Sequence, residues 1–366
     1  MVAAATSQVF AVTCGGNNVS LVRWLVVATM LCFGQPSQAD ARLLIVSGIG
    51  GEDRFSQQFR DWALQMRDAA MGPLGMEPRD VVWLCELPQR DPTQCAGESR
   101  RESILEAIAA MLGGGLGDGS DVRPLMMLMI GHGTTRDGRA LFNVRGPDLS
   151  AQDLNDLFET VHKSPPEQMI AVVNTTPSSA LFAQLLGPRG RIVVTATARS
   201  QESDHTRFAA HFVAAYAAGG ADADRDGRVS LLEAFQFAVR EVTREYADKR
   251  QVSTEHAMLE DNADGEGAHK PQVDGDVAGG ARGERGVTRK MDGAVAAHFF
   301  LASAVRREGL SAARLKLENE ARNLVTRISA LRWRKAAMHP SDYLQKLETL
   351  LVELALNRAI VREGGS

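Results

Sequence analysis

The sequence is short of polar aromatics, of cysteine and of charge imbalance. Of 366 residues only 3 are Tyr and 4 are Trp, and the formal net charge is -4. A chain this close to neutral lacks the cationic excess of bulk nucleic-acid binding, so no nucleic-acid partner is expected. No internal repeat is visible. The Gly-rich stretch Gly48–Glu52 lacks the Gly-Lys-Ser/Thr ending of a phosphate loop and the spacing of a dinucleotide fingerprint. It reads as a tight strand-to-helix turn. What the chain does have is 44% hydrophobic residues, enough for one large domain or two ordinary ones.

The apolar run near the start is short. Arg23 precedes WLVVATMLCFG, and Ser37 and Ala39 then make a small-x-small pattern before Asp40. A spanning helix needs about 20 apolar residues, so the pattern predicts a cleaved secretory signal over 1–39 and no stable membrane span afterwards. The expected location is periplasmic or secreted. Cys14 and Cys32 fall in this segment, which leaves Cys85 and Cys95. In an oxidising compartment a disulfide between those two is the default expectation.

Beyond residue 40, short continuous apolar runs alternate with amphipathic stretches. The runs are 42–48, 80–86, 124–133, 168–174 and 191–198. Continuous rather than alternating runs suit strands covered on both faces. Helices are expected at about 53–72, 100–113, 150–162, 178–186, 205–218 and 231–247. This rhythm predicts an α/β domain over 40–261, with a mostly parallel sheet and helices on both sides. Residues 262–293 are Gly-rich and polar and read as a linker.

From 294 to 366 the pattern turns helical. Leu317, Ala321, Leu324, Ile328 and Leu331 make one apolar stripe, and Leu344, Leu347, Leu351, Leu354 and Ala355 make another. Pro340 and Ser341 lie between them, with Ser341 the expected N-cap. The result is an α-helical hairpin of coiled-coil character, either packed on the sheet domain or serving a homo-oligomer or a partner.

The most complete local motif runs from Asp222 to Glu233, DADRDGRVSLLE, and fits the EF-hand calcium loop at every position. Asp222, Asp224 and Asp226 supply carboxylates, Gly227 the sharp turn, Arg228 a backbone carbonyl, Ser230 a side chain or water, and Glu233 a bidentate carboxylate. Calcium is therefore the expected cofactor, bound as a structural clamp. A second stretch, EDNADGEGAHKP, aligns Gly265 to the turn but puts Pro271 where the closing acid belongs.

Ligands of open parallel sheets bind outside the carboxyl ends of the strands. Three such ends are polar here. His132 sits between Gly131 and Gly133, Asn174–Ser179 end the next run, and Arg199, Ser200 and Ser203 follow the one after. His-Gly after one strand and a small polar turn after the next resembles the legumain and caspase type of cysteine peptidase, over roughly residues 42 to 260. The resemblance implies a caspase-like sheet, His132 as general acid or base, and the loop after 198 as one wall of a specificity pocket. At the nucleophile position it puts Thr176, with Ser178 two residues on, and no Cys. A hydroxyl is far less acidic than a thiol and needs an oriented base and an oxyanion hole, and Thr is crowded by its β-branch.

The expectation is thus a degenerate peptidase, calcium-stabilised, that binds a peptide or protein at the strand-end cleft or acts in assembly. One alternative is an active hydrolase using Ser178 or Thr176 with His132. Another is a displaced thiol at Cys85, and a third is assembly through the C-terminal helices. On purely structural grounds, Thr176 or Ser178 caps the helix that begins near Ser179, with Pro177 in its first turn.

Overall fold

The computed structural model describes residues 41–112, 123–161, 168–199, 202, 205–272, 291–302 and 338–363, with helical positions between 314 and 331. The signal-peptide expectation over 1–39 lies outside the described residues, as do Ser200, Ser203 and 273–290 of the Gly-rich stretch.

The apolar runs become strands β1 (Arg42–Ser47), β2 (Val81–Cys85), β4 (Leu125–Ile130), β8 (Ile170–Asn174) and β9 (Ile192–Thr195). Each is buried because alternate side chains feed opposite faces of the sheet. Leu43, Ile45, Met126, Leu128, Ala171 and Val173 face one apolar cluster. Leu44, Val46, Met127, Met129, Ile170 and Val172 face the other. On the first face lie helices α1 (Asp53–Met71), α5 (Phe208–Ala217) and α6 (Leu231–Asp248). On the second lie α2 (Arg101–Leu112), α3 (Ala151–Val161) and α4 (Ala180–Leu186).

Two short strands complete the seven-stranded sheet, β3 (Gly97–Glu98) and β10 (Met258–Glu260), in the order β10-β9-β8-β4-β1-β2-β3. All pairings are parallel except β10, which runs antiparallel to β9 with Glu260 opposite Val193. This is the mixed α/β architecture expected, with one reversed edge. A separate three-stranded sheet, β5 (Gly133–Arg136), β6 (Arg139–Phe142) and β7 (Leu149–Ser150), follows His132. Its hairpin turns at Asp137 and Gly138, both at positive φ, the backbone an Asp-Gly pair favours. Cys85 and Cys95 are joined by a disulfide, so Cys85 offers no free thiol.

The Gly-rich stretch is not a plain linker at its ends. Ala268 exchanges backbone hydrogen bonds with Leu259, and Asp292 is 4% exposed, so both are built into the domain. Residues 291–302 are not α-helical either. They form a 3-10 turn, Ala296–His298, and then insert Phe299 and Leu301 into the core. The physical reason is pairing, since Ser230 bridges Phe300 and the Leu231 N–H donates to the Phe299 carbonyl.

The last helix, α7 (Pro340–Glu363), begins at Pro340 itself, so Pro, not an N-cap Ser341, opens it. Tyr343, Leu347, Leu350 and Leu354 pack with Leu324, Ile328 and Leu331. Leu344 and Leu351, expected on the inner stripe, are 60% and 48% exposed. The leucines of α7 occupy two adjacent faces, and the 343-347-350-354 spacing matches the facing stripe better. Among the described residues no helix is long and apolar enough to cross a membrane.

Candidate functional site

β4 and β8 are neighbours, with Met129 opposite Asn174, so the His132 and Asn174–Ser179 turns leave the sheet at one edge. Gly131 allows close approach to the first turn, since a Cβ there would lie 3.2 Å from Gly48. A Cβ on Gly133 would collide with the Pro177 carbonyl and the Thr176 hydroxyl. The two glycines around His132 therefore serve backbone packing, and they lock the two turns together.

His132 is half-buried in an aromatic setting. Its ring lies 4.8 Å from Phe55, 5.0 Å from Phe59 and 5.5 Å from His205, centroid to centroid. Burial, and then the neighbouring His205, hold its pKa below the usual imidazole value. The ring also bonds the Gly50 backbone. Phe55, Phe59, Trp62, His132, Pro177 and His205 line a small, open cleft at this edge. His205 and Thr206 come from the loop after β9, so that loop does form one wall.

The expected nucleophiles flank the cleft without lining it. Thr176 is 1% exposed, and its hydroxyl donates to Asn174 Oδ1 at 2.7 Å with the Pro177 carbonyl at 3.1 Å. Asn174 Oδ1 also takes the Thr176 N–H at 3.0 Å. The Thr175 hydroxyl donates to the Met129 carbonyl at 2.7 Å. Ser178 is half-buried with φ +61°. Neither Thr176 nor Ser178 lines the cleft. Ser179 precedes α4, but its hydroxyl is not a helix cap. It accepts the Ala196 and Thr197 N–H groups at 3.1 and 3.3 Å, tying β8 to β9. Arg199 is exposed beyond β9.

The sequence missed two partners. His205 lies in a polar loop with no periodicity to mark it. Ser179 looks like any helix-start serine, and only the neighbouring strand gives its hydroxyl another task.

At the far end of α5 the loop 222–233 is closed on itself. Ligand oxygens of Asp222, Asp224 and Asp226 lie within 4.8 Å of one another. The Asp226 N–H donates to Asp222 and Asp224, the Gly227 N–H to Asp222, and the Arg228 N–H to Asp226. Arg225 and Gly227 take positive φ, 60° and 84°. Glu233 Oε1 accepts the Ala223 and Asp224 N–H groups, while Oε2 accepts the Ser230 N–H and hydroxyl. Ser230 and Glu233 thus also form the capping box of α6. Burial, and the charges of Asp226, Glu233 and Asp222, raise the Asp224 pKa. Arg228 offers its guanidinium to Asp226 at 2.9 Å and stacks on Phe300. An all-oxygen donor set held this close fits a hard cation such as calcium.

No family model and no curated protein sequence matches the chain.

Proposed function

We propose that this chain is an extracytoplasmic, caspase- and legumain-like protein whose peptidase site is degenerate and whose cleft binds a peptide or protein segment. One observation carries the proposal: the hydroxyl at the nucleophile position, Thr176, is buried and committed to Asn174, while the cleft itself offers rings and imidazoles. A nucleophile must stand within reach of its base in a space that admits substrate. Such a cleft suits an apolar or aromatic side chain of a bound segment, with His132 and His205 as polar anchors. The Cys85–Cys95 disulfide supports an oxidising compartment. Loop 222–233 is assigned to calcium, held by Asp222, Asp224, Asp226, the Arg228 carbonyl, Ser230 and Glu233. There the ion would neutralise the carboxylates and clamp α5 to α6.

A second function draws on Ser178. A non-glycine residue at φ +61° on a strand-to-helix turn is a strained position of the kind found at reactive sites. It supports a hydrolase with Ser178 or Thr176 as nucleophile and His132 as base. The C-terminal helices, read as a hairpin, are assigned to homo-oligomer assembly, supported by exposed Leu344, Leu351, Val352, Leu356 and Ile360 on α7.

Active-site labelling separates these functions. The mature protein is treated with a fluorophosphonate and a thiol probe, with and without calcium, and adducts are mapped by mass spectrometry. The binding function predicts no His132-dependent adduct. An adduct on Ser178 or Thr176 that vanishes in His132→Ala makes the protein a hydrolase. Loss of oligomers on truncation after residue 302, which keeps the core residues Phe299 and Leu301, tests the assembly role by light scattering.

A further inference from the structure

The second Asp/Gly-rich stretch repeats the backbone pattern of the first loop over its first seven places. Glu260, Asn262, Asp264 and Gly265 stand where Asp222, Asp224, Asp226 and Gly227 stand. Ala263 and Gly265 take positive φ, 68° and 75°, as Arg225 and Gly227 do. The Asp264 N–H donates to Asn262 Oδ1 at 2.9 Å, as Asp226 does to Asp224. The Glu266 N–H donates to Asp264 Oδ1 at 2.7 Å, as Arg228 does to Asp226. The Gly265 N–H faces Glu260, as Gly227 faces Asp222.

The closing acid comes from another part of the chain. Pro271 occupies the twelfth place and no helix follows. Instead Asp292 Oδ1 accepts the Asp261 and Asn262 N–H groups at 3.0 and 3.3 Å. Those are the two places whose N–H groups Glu233 accepts in the first loop. Asp261 holds the returning segment in position, because its carboxylate takes the Gly293, Val295 and Ala296 N–H groups at 2.8 to 2.9 Å.

An independent observation points to a ligand. Glu260 is 0% exposed, and neither of its carboxylate oxygens makes a hydrogen bond of good geometry. Gly187 makes room for it, since a Cβ there would run into the Glu260 side chain. Its polar neighbours are the Gly265 N–H and the carboxyls of Asp264 and Asp292. Buried carboxylates set against one another are costly unless a cation joins them.

We infer that Glu260, Asn262, Asp264 and Asp292 form a second, split calcium site, with the Glu266 carbonyl at the seventh place. Buried Glu260 and Asp292 make its floor, and exposed Asp264 its open lip. The ion bolts edge strand β10 to segment 291–302, the same segment that bridges Ser230 of the first loop. The site borrows the backbone pattern of loop 222–233 but has donors of its own, so the two can stand or fall separately.

Calorimetric titration of the full mature chain with calcium alone, after chelator treatment, tests this. Wild type is expected to bind two calcium ions. Glu260→Gln with Asp292→Asn should leave one, and Asp222→Asn with Asp226→Asn should leave the other. The inference fails if the first pair still binds two, or if wild type binds a single ion that the second pair abolishes. A single ion abolished only by the first pair would instead sink calcium at 222–233, and no binding at all sinks both. If the first pair does not fold, the near-isosteric Glu260→Gln alone decides. It should weaken one site at least tenfold and shrink the calcium-induced rise in Tm, and an unchanged titration overturns the inference.

Discussion

Ser179→Ala separates a structural turn from a reactive one. The Ser179 hydroxyl is wholly buried and is the acceptor for two backbone N–H groups at the end of β9, at 3.1 and 3.3 Å. Alanine removes that acceptor; the Ala196 N–H keeps the Asn174 carbonyl at 3.1 Å, while the Thr197 N–H is left without an acceptor. A buried donor without a partner costs about 1–3 kcal/mol. One such donor is left, and the bond it loses is long at 3.3 Å, so the loss should be about 1–2 kcal/mol. No capping term adds to it, because the hydroxyl does not cap α4. Urea unfolding with a slope of about 3 kcal/mol/M converts this to a midpoint lower by roughly 0.3–0.7 M. Ser178→Gly is the matched control. It removes the side chain from a left-handed backbone and should leave stability unchanged or raise it by up to about 1 kcal/mol. A Ser179→Ala midpoint within about 0.2 M of wild type, at a similar slope, would refute the assignment of that hydroxyl to the sheet.

Thr176→Val should cost about 1 kcal/mol of stability and leave peptide binding at the cleft intact, since the lost bond is internal; impaired binding, by fluorescence anisotropy, would argue for a functional hydroxyl. Gly133→Ala should destabilise by about 1–3 kcal/mol through overpacking against Pro177 and Thr176, measured by thermal melting. His132 titrates below its ordinary value of 6.5, so folding favours the neutral ring. Its contribution is full above about pH 6.5 and is lost as pH falls through that value toward the folded one. His132→Gln should flatten this limb of a Tm-against-pH curve, and an unchanged limb would assign it to another group. Chelator treatment should lower Tm in wild type, and Asp222→Asn with Asp226→Asn should shrink that drop; equal drops would remove loop 222–233 from the account.

The sequence alone carried whatever depends on local period and spacing. Continuous apolar runs marked β1, β2, β4, β8 and β9, because a strand buried on both faces admits no polar positions. The Asp222–Glu233 spacing marked a loop whose acceptors all come from its own backbone neighbourhood. The β5–β6 hairpin went unread, because the residues flanking the Asp137-Gly138 turn are too polar for a search by apolar runs. Spacing also placed two cysteines close enough to pair.

Only the tertiary structure decided which groups meet. The inner face of α7 was chosen by its partner stripe, since Leu344 and Leu347 are equally apolar as letters. The Thr176 hydroxyl is buried where Gly133 packs against it, a contact set by the β4–β8 register. His205 reaches His132 across 73 positions of sequence, and Asp292 reaches the Asp261 and Asn262 amides across about 30. Periodicity and motif spacing fade beyond one element. Side chains that far apart are joined by strand order and by the volume their neighbours leave, and neither quantity is written in any short stretch of the chain.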